Sequence, residues 1–400
     1  MLVTRKPFGG IRAVTAACAI AVTASLTFMS SPAHAEPPVG GEQLTGKGKI
    51  VNLGQGADPL PEVWAATWLV ANADTGEILA AKGPHIQRAP ASTLKTLTSL
   101  AVMPQLDAQQ EVKAKKRAVN TYGSKVGLVR GKRYSIEDLY YALLLPSAND
   151  AAIALAQANG GVKTTVEQMN AIAQALGARD TVAKNPNGLD IPGQLSSSYD
   201  LALIAREALK IPRFREIVGT KKYAFPYKKK TRDIYNTNRL LTGGYKGTIG
   251  VKTGFTTQAG RTFIGAAERK GTTLIVVALG IKEASATAAA KLLDWAFANG
   301  DKVTPIGQLV PPSLGGVATN SANATSGSVP TSGESTVGEN APTAQATAGP
   351  SGESLEPLAM GWIFLFIAIT GFVAYGVRSV FAARKNRGLN ATRGRIKLEG

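Results

Sequence analysis

Apolar positions along the chain change period several times, and each change marks a structural element. The stretch "TWLVANADTGEILAAKG", from Thr67, predicts two strands joined by a turn at Asp74, Thr75 and Gly76. From Ser92 the period lengthens. In "STLKTLTSLAVMPQL", Leu94, Leu97, Leu100 and Ala101 fall on one side of a helix. The next run, "SIEDLYYALLLPSANDAAIALAQANG", starts with Ser135 and Asp138 in capping-box spacing, and Pro146 should break or kink it. "TTVEQMNAIAQALGA" predicts another helix. "GTIGVKTGF", "TFIGAAER" and "TLIVVALG" then read as strands, and "SATAAAKLLDWAFANG" as a closing helix. Strands, a mostly helical insertion, strands and a final helix predict an α+β fold, an antiparallel sheet flanked by helices. There is no internal repeat and no βαβ glycine fingerprint, and "GGVKTTVEQM" has neither a preceding strand nor Walker spacing.

Both chain ends carry a different pattern. Arg5, Lys6 and Arg12 precede an apolar run, and Ala33 and Ala35 supply the small residues of an A-x-A cleavage site. Residues 1–35 therefore read as a secretory signal peptide. The single cysteine, Cys18, would be lost with it, leaving neither a thiol nucleophile nor a disulfide. Residues 358–377, "LAMGWIFLFIAITGFVAYGV", form an uncharged stretch of bilayer-spanning length, with Trp362 and Tyr375 near its ends. Seven basic residues, Arg378 to Lys397, follow it, against only Glu399. Residues 378–400 thus read as a basic cytoplasmic tail, which places the bulk of the protein outside the membrane, facing the cell wall. Residues 312–357 are rich in Ser, Thr, Gly, Ala and Pro, lack Lys and Arg, and read as a disordered stalk. The folded head is expected over residues 36–311.

Charge and histidine usage narrow the chemistry. The formal net charge is +18, and most of it belongs to the head, which suits an anionic cell wall. "KKYAFPYKKKTR" interleaves bases with aromatics, but in an exported protein a solvated strand pair is the more economical reading than nucleic-acid binding. Of the two histidines, His34 precedes the cleavage site, so only His85 remains. A His-rich zinc centre is thereby disfavoured, although carboxylate-rich sites are not excluded by counting. A Ser-His-Asp triad would have to use His85, in the loop-like "KGPHIQRAP". If Ser92 is a nucleophile, lysine is the natural candidate for its base.

Ser92 is the only serine followed three places on by lysine, Lys95. Alone, that pair fits a capping serine and a surface lysine as well as it fits a nucleophile and base. Two further motifs follow in order. "LLPSANDAA" offers Ser147 and Asn149 at the proline break, and "GVKTGF" offers Lys252, Thr253 and Gly254 on a strand. On a helix, positions i and i+3 share a face, so the Lys95 amine can meet the Ser92 hydroxyl. Lysine removes a serine proton only when neutral, and burial or a second cation, here Lys252, depresses its pKa.

The ordered set S-x-x-K, S-x-N and K-T-G resembles the penicillin-recognising serine enzymes. "NPNGLD" from Asn185, "SSSYDLALIAREAL" from Ser196 and "KTGFTTQAGRTFIGAA" from Lys252 are similar to blocks of the D-alanyl-D-alanine carboxypeptidases. That family is also described as low-molecular-mass penicillin-binding proteins. The likeness spans roughly residues 62–300, and the family's common second β-rich domain has no obvious counterpart. The resemblance implies a β-lactamase/transpeptidase-like fold, no cofactor and no metal. It implies Ser92 as nucleophile, Lys95 as base and Ser147 as proton relay, with Asn149 holding the substrate amide. By the same resemblance, the N–H groups of Ser92 and Phe255 form an oxyanion hole. Lys252 and Thr253, with Thr257 or Arg261, would hold the terminal carboxylate. The implied partners are a peptidoglycan stem peptide ending in D-Ala-D-Ala, β-lactams as inhibitors and, through the C-terminal helix, the membrane; none is a nucleic acid. A β-lactamase and a noncatalytic wall-binding protein are the alternatives. Against the former, "EQMN" (Glu167 to Asn170) is one residue too short for the deacylation pattern Glu-x-x-x-Asn and reads as a helix surface.

Overall fold

The computed structural model describes residues 39–310. The expected signal peptide (1–35), the whole of the expected stalk (312–357), the apolar stretch 358–377 and the expected basic tail (378–400) lie outside the described residues. Among the described residues, no helix is long and apolar enough to cross a membrane.

The chain opens with strands β1 (Lys49–Leu53), β2 (Thr67–Asn72) and β3 (Glu77–Lys82). A 3-10 turn, Ala91–Leu94, leads into helix α1 (Lys95–Val102). The insertion contains a short pair, β4 (Glu111–Lys113) and β5 (Arg133–Ser135), with α2 (Lys116–Val119) between them. It continues through α3 (Ile136–Leu144), α4 (Asn149–Ala158), α5 (Val162–Ala175), α6 (Ser198–Ala208) and α7 (Pro212–Gly219). A hairpin, β6 (Lys222–Tyr227) and β7 (Lys230–Tyr235), is followed by α8 (Arg239–Thr242). The chain then returns to the sheet as β8 (Thr248–Thr256), β9 (Gly260–Arg269) and β10 (Thr272–Ile281). It closes with α9 (Ser285–Asn299), β11 (Val303–Thr304) and β12 (Gly307–Gln308).

The main sheet runs β11-β1-β3-β2-β10-β9-β8, with β12 also paired to β3, and its pairings are antiparallel. Its central strands are apolar at successive positions because both faces are covered. Trp68 and Val70 pack with Leu292 and Leu293 of α9, while Leu69 and Ala71 join the larger core with Leu97 of α1 and Ile204 of α6. The expected antiparallel sheet with helices on it is the observed architecture. The pair "KKYAFPY" and "KKKTR" is the hairpin β6–β7, largely exposed on its basic positions.

Three local features differ from the periodicity. The helical pattern from Ser92 starts as a 3-10 turn, and Ser92 makes no side-chain cap, so the ordinary capping role for this serine is removed. The Ser135 hydroxyl does accept the Asp138 N–H at 3.0 Å, but the Asp138 carboxylate accepts the Tyr223 hydroxyl at 2.8 Å instead of closing a capping box. Pro146 separates α3 from α4 as expected, and Ser147 beyond it takes a left-handed φ of 62°. That conformation is costly for a residue with a Cβ and recurs at functional sites.

Candidate active site

Ser92 stands in the 3-10 turn, and the Lys95 side chain rises beside it at the first turn of α1. The Lys95 Nζ donates to Ser92 Oγ at 2.8 Å, to Asn149 Oδ1 at 2.7 Å and to the Asn187 carbonyl at 2.6 Å. These three acceptors use every ammonium hydrogen, so the fully buried amine is held without rotational freedom. Burial pushes the Lys95 pKa well down, and the Lys252 cation pushes it further, while the Asp150 carboxylate works against both. Lys252 is itself pushed down to about 7 by burial.

The "NPNGLD" segment is the floor that supplies one of those acceptors. Asn185 Oδ1 accepts the N–H groups of Asn187 and Gly188, and Asn185 Nδ2 donates to the Leu189 carbonyl, which winds the segment into a tight turn. Gly188 has φ 79°, and a Cβ there would overlap the Ala91 carbonyl, one residue before the nucleophile. Only glycine lets this turn dock under Ser92. Thr98 Oγ1 fastens the same turn to α1 by donating to the Pro186 carbonyl at 2.7 Å.

The "SAND" segment is positioned by α4. Asn149 accepts from Lys95 and donates one of its two amide hydrogens to the Tyr122 carbonyl at 2.7 Å, which fixes the side chain at the cavity lining. The buried Asp150 carboxylate accepts the backbone N–H groups of Val126, Gly127 and Leu128 at 3.0, 2.8 and 2.9 Å. It thereby holds the loop that brings Tyr122 and Ser124 to the cleft. Ser147 Oγ is buried and has no hydrogen-bond partner among the described residues. An unpaired buried hydroxyl is costly in a merely structural role, and it leaves this group ready for a partner supplied by a ligand.

Strand β8 forms the opposite wall. Side chains alternate along it, and Thr253 and Phe255 pair with Phe263 and Arg261 of β9 on one face. Gly254 lies on the other face, where a Cβ would stand 2.8 Å from the Ser92 nitrogen. The absence of a side chain lets the strand backbone run against the nucleophile. Thr262 Oγ1 donates to the Pro90 carbonyl at 2.9 Å and ties β9 to the same turn.

Two cavities meet at Ser92 and Phe255. One, of about 440 Å³, is lined by Ser147, Thr237, Arg239, Thr253 and Arg261 among others. The other, of about 410 Å³, is lined by Tyr122, Asn149, Leu189, Asp190 and Thr257 among others. Lys252 lines neither: it is buried on the Gly254 face of β8 and donates to the Thr253 carbonyl at 2.8 Å. Of the two alternatives Thr257 and Arg261, only Arg261 shares a cavity with Thr253. Arg239, which gave no motif, lies in that cavity too. His85 stands apart, its Nδ1 against Asp180 Oδ2 at 2.7 Å and its Nε2 against the Val39 carbonyl at 3.1 Å. With both ring nitrogens engaged there, it is not the base for Ser92. Glu167 lies exposed on α5 in an ion pair with Lys163, the helix-surface place expected of it.

The chain is similar in sequence and in fold to proteins already characterised. The sequence profile of peptidase family S11, D-alanyl-D-alanine carboxypeptidase, matches residues 55–283. The chain is 40% identical over 250 residues to the D-alanyl-D-alanine carboxypeptidase DacB2 of Mycobacterium tuberculosis, covering 61% of this chain and 86% of that one. It is 34% identical over 234 residues to DacF of Bacillus subtilis, covering 56% of this chain and 60% of the relative's length. Among solved structures, a D-alanyl-D-alanine carboxypeptidase of M. tuberculosis superposes with a TM-score of 0.61 at 37% identity, over 64% of this chain and 99% of that one. The Streptomyces K15 DD-transpeptidase superposes with a TM-score of 0.58 at 31% identity, over 60% of this chain and all of the other. With the profile covering more than half its length, the chain belongs to the D-alanyl-D-alanine carboxypeptidase family of serine peptidases.

Proposed function

We propose that this protein is a membrane-anchored, extracytoplasmic carboxypeptidase that removes the terminal D-Ala of peptidoglycan stem peptides through an acyl-enzyme on Ser92. The observation that carries the reading is the Lys95 amine, buried, depressed in pKa and 2.8 Å from the Ser92 hydroxyl. Neutral Lys95 takes the Ser92 proton as Oγ attacks the carbonyl of the penultimate D-Ala. The oxyanion forms against the N–H groups of Ser92 and Phe255, a contribution typically of about 3 kcal/mol. Ser147, whose hydroxyl has no partner among the described residues, relays the proton to the departing amine. The C–N bond breaks and D-Ala leaves with that proton. Water then attacks the ester, and Ser92 Oγ recovers its proton as the shortened peptide departs.

The side chains of Arg261 and Arg239 have neither an ion pair nor a hydrogen bond among the described residues, and they line the leaving-group cavity beside Thr253. Together they supply the positive charge for the terminal carboxylate. The buried Lys252, on the Gly254 face of β8, acts on Lys95 through its field. Asn149 positions Lys95 and, through Tyr122, the loop at the cleft rim. A β-lactam enters the same cleft, presents its own carboxylate to this cation pair and acylates Ser92. Its opened ring stays tethered and obstructs water, and among the described residues no glutamate lines either cavity to speed deacylation. Anchoring rests on the charge asymmetry around residues 358–377 and on the signal pattern of residues 1–35. The full chain in detergent, given a peptide ending in D-Ala-D-Ala, is expected to release free D-Ala and to stop when benzylpenicillin is added. A folded chain that releases none would rule the reading out.

A further inference from the structure

Three segments that set the position of Ser92 converge on a cluster of side chains outside the cleft. His85 lies in the segment between β3 and the Ser92 turn, Asp180 in the segment between α5 and the Asn185 turn, and Asp200 in the first turn of α6. A ring nitrogen of His85 and one carboxylate oxygen from each aspartate all lie within 4.8 Å of one another. The His85 Nε2 faces the Val39 carbonyl at 3.1 Å, and a carbonyl only accepts, so Nε2 carries a hydrogen. Nδ1 is thereby turned to Asp180 Oδ2 at 2.7 Å, where two acceptors need a proton or a metal ion between them. A metal-bound histidine characteristically places its other N–H on a carbonyl or a carboxylate, as His85 does.

An imidazolium paired with Asp180 would account for those two groups and leave Asp200 unexplained. Asp200 is 1% exposed. Its Oδ2 accepts the Thr181 hydroxyl at 2.7 Å, while Oδ1 is buried without a hydrogen-bond partner among the described residues. Burial, with the Asp180 charge adding to it, pushes the Asp200 pKa up to about 7. A buried carboxylate oxygen beside two other ligand atoms, with no donor of its own, is the placement a cation satisfies.

We propose that His85, Asp180 and Asp200 form a binding site for a divalent transition-metal ion, zinc fitting best, with water as the fourth ligand. One imidazole nitrogen and two carboxylate oxygens make a donor set that zinc takes in tetrahedral geometry, whereas calcium requires six or more oxygens. The His85 and Asp180 side chains are 19% and 22% exposed, so an ion can enter from solvent. Ligand atoms around zinc stand about 3.3 Å apart, so His85 and Asp180 separate by about 0.6 Å on binding. The ion touches no reacting atom. It clamps the segment that leads into Ser92 to the segment that leads into the Asn185 turn and to α6, and it is independent of the carboxypeptidase reading.

The test uses the untagged full chain in detergent, stripped with a chelator, and zinc chloride as the probe. Calorimetric titration is expected to show one Zn²⁺ per chain with a Kd of about 1 µM or tighter, and a hundredfold excess over Kd should raise Tm by about 5 °C. Cobalt(II) taken up in its place should give the visible absorption of a tetrahedral ion. His85→Gln can still donate to the Val39 carbonyl but loses the nitrogen ligand, and Asp180→Asn keeps its size but loses its charge. Both positions are partly exposed, so both variants should fold. Each should weaken Zn²⁺ binding about a hundredfold and abolish the cobalt band. No uptake by the folded, unaltered chain, or uptake undiminished in either variant, would overturn the site and leave a His85–Asp180 ion pair in its place. D-Ala release is not the readout, so that failure would leave the carboxypeptidase reading standing.

Discussion

Replacing Ser92 with alanine is expected to abolish covalent labelling by a fluorescent penicillin and to lower D-Ala release below about one part in 10⁴ of the unaltered rate. The fold should survive. The hydroxyl caps no helix, and its one polar contact is with Lys95. When the hydroxyl is removed, the Lys95 amine keeps Asn149 Oδ1 and the Asn187 carbonyl as acceptors, so no buried donor is stranded. A melting temperature within about 2 °C of the unaltered protein, read by circular dichroism, would separate lost chemistry from lost structure. Full labelling of folded Ser92→Ala would remove Ser92 as the nucleophile.

Replacing Lys95 with methionine should slow acylation by about three orders of magnitude, since the Ser92 hydroxyl then has no base within hydrogen-bond reach. Here stability should fall as well, because Asn149 Oδ1 and the Asn187 carbonyl lose a buried donor, at a cost of about 2 kcal/mol. The companion variant Lys252→Met gives a signed result that a structural role does not. Lys95 must be neutral to accept a proton, so acylation rises with pH as Lys95 loses its charge. The Lys252 cation helps to drive that proton off. Without it, Lys95 holds its proton to higher pH, and the ascending limb of the acylation profile should move upward. A limb that stays in place, or that moves to lower pH, would separate Lys252 from the base.

Much of this site was legible in the sequence because its chemistry sits in short local spacings. Ser92 and Lys95 are three apart and Ser147 and Asn149 two apart, so each pair shares one turn whatever the rest of the fold does. The buried strands were legible from unbroken apolar runs in "TWLVA" and "TLIVVALG". What could not be read was set by contacts between distant segments. Gly188 is required because its turn docks on Ala91, ninety-odd residues away in the chain, and no local pattern carries that information. Arg239 follows an ordinary Asn cap and becomes a cleft residue only because α8 packs beside β8. Lys252 and Thr253 were expected together at the substrate carboxylate. Strand alternation puts them on opposite faces of β8, with Lys252 buried on the Gly254 face that meets the Ser92 turn, a placement no local spacing announces. Strands β11 and β12 are two residues each, too short to show a period at all.

The fate of the acyl-enzyme tests the proposed mechanism most directly. The full chain is mixed with benzylpenicillin and followed by intact mass and peptide mapping over an hour. The expected result is one added penicilloyl group on the peptide containing Ser92, persisting for minutes or longer, while a D-Ala-D-Ala peptide is turned over repeatedly by untreated protein. An adduct that disappears within seconds, with many penicillin molecules hydrolysed per protein, would contradict the carboxypeptidase mechanism and establish a β-lactamase in its place.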